Sequence, residues 1–101
     1  MAEIIRGTTP TIQYKFNTVN PANLVAAVLT IKKNGVVAVG RELDTATVTE
    51  HAVAWTLTQA ETLVVSGYAK VMCNWKLADG TRGASKEIEV QFLENHINEV
   101  I

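Results

Sequence analysis

The residues able to do chemistry are few and scattered. His51 and His96 are the only histidines, and Cys73 is the only cysteine. A zinc site gathers about four His, Cys, Asp or Glu ligands at short spacings. Neither histidine belongs to an HxH or HxxxH pair, so no metal or other cofactor is expected. A Cys–His nucleophilic pair needs an exposed thiol beside a basic group. Cys73 instead alternates with Val71 and Trp75, the position of a small buried hydrophobe. Ser66 and Ser85 lack the G-x-S-x-G context of a nucleophile elbow. Glu87 and Glu89 share one strand face beside Lys86 and read as a solvated face, since acid–base work needs a cleft that perturbs a pKa. Arg6-Gly7 and Gly80-Thr81-Arg82-Gly83 lack the spacing and the strand-to-helix setting of a phosphate cradle. No catalytic constellation is present, and the chain is not expected to be an enzyme.

The aromatic residues admit a second class of function. Trp55 and Trp75 could stack on a sugar, but they share parity with Leu57 and Leu77 and are expected in the core. Tyr68 has the opposite parity to Trp75 and is the better surface aromatic. A carbohydrate- or cell-surface-binding module would use Tyr68, Trp75 or the loop from Asp79 to Gly83.

The elements that must carry these residues are strands. Ile12, Tyr14 and Phe16 alternate on one face, as do Ala27, Leu29 and Ile31, then Val53, Trp55 and Leu57. Val71, Cys73, Trp75 and Leu77 follow, then Ile88, Val90 and Phe92. Period-two alternation marks strands with one buried face. Asn34-Gly35 and Asp79-Gly80 interrupt it as hairpin turns. Strands are expected over Thr11–Phe16, Leu24–Lys33, Val36–Leu43 with Val37 and Val39 inward, about Val48, Val53–Leu57, Tyr68–Leu77 and Ala84–Phe92. Gly40 marks a candidate bulge, and the parity change between Val48 and Val53 places a turn near Glu50-His51. Thr58-Gln59-Ala60-Glu61 fits a capping box and predicts one helical turn crossing between sheets.

About seven strands with turns every ~8–12 residues predict an all-β, immunoglobulin-like antiparallel sandwich, with a small barrel as the alternative. The 101 residues form one domain, with residues 1–9 as a lead-in and 93–101 as a short apolar tail. In the tail, Leu93, Ile97, Val100 and Ile101 follow helical spacing. Nine residues do not hold a helix alone in water, so this stripe packs on its own domain, packs on another chain, or stays unordered.

Hydrophobic residues make up 48% and charged residues 19%, a balance that builds a core rather than a disordered chain. The formal net charge of −1, with scattered Lys and Arg, lacks the clustered basic face of a nucleic-acid binder and the polybasic run of a membrane anchor. A lone cysteine cannot form an internal disulfide. Met1-Ala2-Glu3 opens without a secretory signal, and no apolar run approaches the ~20 residues of a spanning helix.

One segment carries a resemblance. Ile4-Ile5-Arg6-Gly7-Thr8-Thr9-Pro10-Thr11-Ile12 resembles the start of small tail-region structural proteins of phages and prophages of Gram-positive bacteria. Leu29-Thr30-Ile31-Lys32, the corner Trp55-Thr56-Leu57-Thr58-Gln59-Ala60-Glu61-Thr62-Leu63 and Asn74-Trp75-Lys76-Leu77-Ala78-Asp79-Gly80-Thr81 are similar to later pieces of that group. The architecture is also similar to the immunoglobulin-like N-terminal domain of phage baseplate upper proteins. The resemblance implies a non-enzymatic tail or baseplate protein, made in the bacterial cytoplasm and built into a virion. Its partners would be other phage structural proteins or copies of itself, with no nucleic acid and no membrane. The chain departs from a baseplate upper protein in having no long receptor-binding or stalk portion within its 101 residues, which counts against direct host recognition. The contact residues expected from the apolar chain ends are Ile4, Ile5 and Arg6 with Ile97, Val100 and Ile101.

Overall fold

A computed structural model of the chain describes residues 2–101. Met1, the first residue of the expected lead-in, lies outside the described residues. The strands are β1 (Ala2–Ile5), β2 (Thr11–Lys15), β3 (Leu24–Lys33), β4 (Val36–Glu42), β5 (Thr47–Val48), β6 (Ala52–Thr56), β7 (Gly67–Leu77), β8 (Arg82–Ala84) and β9 (Ile88–Leu93). One short helix, α1 (Gln59–Leu63), sits between β6 and β7. The larger sheet has the order β1-β9-β7-β3-β4, with β8 paired to β7, and the smaller has the order β2-β6-β5. The chain is thus the all-β sandwich that the alternation predicts.

The alternation is realised at the core. Ala27, Leu29 and Ile31 of β3 and Ala69, Val71 and Cys73 of β7 are buried against Val53 and Trp55 of β6. Trp55 is 1% exposed, and its indole donates to the Glu42 carbonyl at 2.9 Å, which satisfies the one polar atom the ring brings inside. The Asn34-Gly35 turn has both residues at positive φ, 53° and 78°, the conformation of a type I′ hairpin. The Thr58 capping box forms: Thr58 Oγ1 accepts from the Glu61 amide at 3.1 Å and the Glu61 carboxylate accepts from the Thr58 amide at 2.9 Å.

Several expectations are corrected. The lead-in is a strand. Ala2 to Ile5 pair with Val90 to Leu93, and the pairing is parallel, so the larger sheet is mixed rather than wholly antiparallel. Four residues with a single inward Ile4 are too short to show a period. The described residues form nine strands rather than about seven, because β1 is added and the expected Ala84–Phe92 strand divides. The division has a local cause: the Ser85 hydroxyl accepts from the Cys73 amide at 2.9 Å, where a ladder carbonyl would otherwise sit. The bulge lies at Ala38, not Gly40. Ile31 pairs with Val39 while Lys32 pairs with Val37, and the extra residue turns Val37 outward. Ile88 is also exposed, because β1 begins opposite Val90 and leaves it uncovered. Trp75 is only partly buried, packed beside Tyr14 and Phe16 at ring-centroid distances of 5.0 and 5.1 Å. The tail, too short to hold a helix alone, is irregular and is tied to its own domain. The Asn95 side chain takes the Ile97 amide at 3.2 Å and donates to the Arg6 carbonyl at 2.8 Å, which holds the chain bent across the sandwich.

Candidate functional site

The two chain ends meet at one pole of the sandwich, around α1. The meeting is built from the Arg6-Gly7-Thr8 segment, which carries the chain from the larger sheet to the smaller. Gly7 turns with φ +77°, a conformation that disfavours a side chain. A Cβ there would also stand 3.3 Å from Leu63 and 3.6 Å from both Asn95 and the Ile97 carbonyl. The Gly7 carbonyl accepts from the Gln59 side chain at 3.1 Å. Gln59 also accepts from the Ile101 amide at 3.2 Å, so one glutamine ties the opening of the chain to residue 101. Gln59 and Leu63, four apart on α1, face the chain ends.

The expected contact residues divide by environment. Ile4 is half-buried against the core. The Arg6 guanidinium is engaged within the chain: it donates to the Leu63 carbonyl and to Glu94 at 3.0 Å. Its Nε is buried without a hydrogen-bond partner. Ile5, Ile97, Val100 and Ile101 are exposed. The pole therefore presents apolar side chains on a backbone held by polar ties. Among the described residues no helix is long and apolar enough to cross a membrane.

The opposite flank of α1 is secured by Arg41, which sequence reasoning did not single out. It donates to Glu61 at 2.7 Å, to the Thr56 carbonyl at 3.1 Å and to Thr45 Oγ1 at 3.0 Å. A lone arginine in a strand carries no signal of such a role, because its partners lie on three other segments.

The remaining polar residues stay apart. Among the described residues no group of three His, Cys, Asp or Glu is placed to hold a metal ion. Cys73 is buried, and burial pushes its thiol up to about 11, a protonated thiol being a poor nucleophile. Tyr68 is exposed beside an open depression of about 360 Å³, with Lys32, Asn34, Lys70 and Glu89 around it. Lys70 of β7 and Glu87, just before β9, form a 3.5 Å ion pair there.

The fold and the pole together define an all-β sandwich in which Ile5, Ile97, Val100 and Ile101 are exposed at the chain ends. No family model matches the chain, and no curated protein or solved structure matches it either.

Proposed function

We propose that this protein is a non-enzymatic structural protein of a phage tail or baseplate, acting through protein–protein contacts. The observation that carries this reading is the convergence of Ile5, Ile97, Val100 and Ile101, exposed, on a pole held in place by Gly7, Gln59 and Asn95. Apolar side chains held exposed on a fixed backbone suit docking, because little ordering entropy remains to be lost on binding. The resemblance of the Ile4–Ile12 segment to phage tail-region proteins gives the class of partner. Those residues form the end of β1, the Gly7 turn and the start of β2, the segment on which the pole is built.

The test is to induce particles from the bacterium that carries the gene and purify them. Mass spectrometry should find the chain in the particles, and immunogold labelling should place it at the tail. Particles that lack it would overturn the reading. Carrying Ile97→Asp, Val100→Asp and Ile101→Asp together, the chain should fold normally and fail to enter particles.

A second reading, a carbohydrate-binding module, is favoured by one observation, the exposed Tyr68 ring beside Asn34 and Glu89. Binding on a glycan array that Tyr68→Ala abolishes would establish it.

A further inference from the structure

We propose that the chain forms a two-fold dimer by antiparallel pairing of β4 with β4 of a second copy. The surface is separate from the chain-end pole, and the inference does not depend on the phage reading.

β4 is the terminal strand of the larger sheet, with β3 on one side and no strand on the other. An unpaired edge offers a row of backbone donors and acceptors to another chain. Val36 and Val37 are 67% and 49% exposed at its start. Between its middle and α1 runs a shallow groove of about 340 Å³, lined by Ala38, Val39, Gly40, Ala60, Glu61 and Val64. Val64 is itself 65% exposed. No lysine or proline guards the strand, and the one arginine, Arg41, is turned back to Glu61 and Thr56.

The other free edges are less suited. β2 follows Pro10 and ends in Lys15, and β5 has two residues. β1 has four residues, with Glu3 near its centre. Antiparallel self-pairing of β1 would bring two Glu3 carboxylates to neighbouring positions, and like charges across strands repel.

The charges around β4 select both the partner and the direction. Lys32 and Lys33 precede the hairpin at its start, while Glu42 and Asp44 lie at its end. A strand that is basic at one end and acidic at the other complements itself only when the two run antiparallel, which a two-fold axis produces. Pairing centred on Gly40, with the bulged Ala38 and Val39 of each strand opposite Arg41 of the other, sets Val37 opposite Glu42 of the second copy. Lys32, paired with Val37 on the outer face, then stands two strand spacings, about 9.5 Å, from that Glu42. Extended lysine and glutamate side chains span this distance. The contact forms twice, and Gly40 at the centre adds no side chain to obstruct it.

The experiment is light scattering after size exclusion, across a wide concentration series at low salt. The unaltered chain should pass from one-chain to two-chain mass. Lys32→Glu and Glu42→Lys should each weaken self-association at least about tenfold, because each sets like charges against one another at both contacts. Circular dichroism should show both variants folded, since both side chains are exposed. An equimolar mixture of the two variants should restore the two-chain mass, because every contact in the mixed dimer again joins opposite signs. A chain that stays monomeric throughout, single variants that dimerise as the parent does, or a mixture that remains monomeric would each overturn the inference. None of these outcomes bears on the particle test of the phage reading.

Discussion

Thr62 and Gly7 lie 55 residues apart, and the Gly7 amide donates to the Thr62 hydroxyl at 3.0 Å. The same hydroxyl donates to the Thr8 carbonyl at 2.9 Å. Thr62 is fully buried, the one polar side chain to be so among the described residues. It fastens α1 to the segment that crosses between the sheets. Thr62→Val keeps the shape and removes both bonds. A buried donor left without a partner costs about 1–3 kcal/mol, so the urea midpoint should fall by the equivalent of about 2 kcal/mol. Unchanged stability would mean that water replaces the hydroxyl.

Gly83 answers to packing rather than to backbone angle. A Cβ placed there would lie 2.5 Å from the Trp75 ring, which itself packs on Tyr14 and Phe16. Gly83→Ala should displace the indole and destabilise the domain by about 1–3 kcal/mol. The near-ultraviolet circular dichroism of the aromatic cluster should change in the same variant.

Glu61 does two jobs with one carboxylate. It accepts from the Thr58 amide at the helix start and from Arg41 on β4. Glu61→Ala loses both and leaves the partly buried Arg41 short of a partner, at a cost of about 1–2 kcal/mol. Glu61→Gln keeps an acceptor and loses the charge, so its thermal midpoint should lie between the parent and Glu61→Ala. Equal loss in the two variants would assign the whole effect to charge.

Cys73 gives a dependence on pH. Burial raises its thiol from 9.0 to about 11, so the unfolded chain ionises first. The stability from that difference is fully present below pH 9.0, declines as pH rises, and is lost by about pH 11. Urea midpoints should fall over that interval, and Cys73→Ala should flatten the fall. Alkylation by iodoacetamide should be slow in the folded chain and fast in urea. Rapid alkylation under native conditions would contradict burial.

Much of this architecture is written locally. The alternation through Leu29 and Ile31, through Trp55, and through Val71 and Cys73 specified strands with one buried face, because successive side chains of a strand point to opposite sides. The Asn34-Gly35 turn and the Thr58–Glu61 cap were likewise legible, since each depends on residues a few positions apart. What the chain alone could not express were relations between distant segments. The parallel pairing of β1 with β9, the outward turn of Val37 at the Ala38 bulge, the ladder break made by Ser85 and the clasp of Gly7 by Thr62 all require partners that only folding brings near. The tail shows the contrast most directly. Its spacing was helical, yet Asn95 and Gln59 supply hydrogen bonds to the bent chain, and eight or nine residues cannot recover the cost of helix nucleation without a packed face.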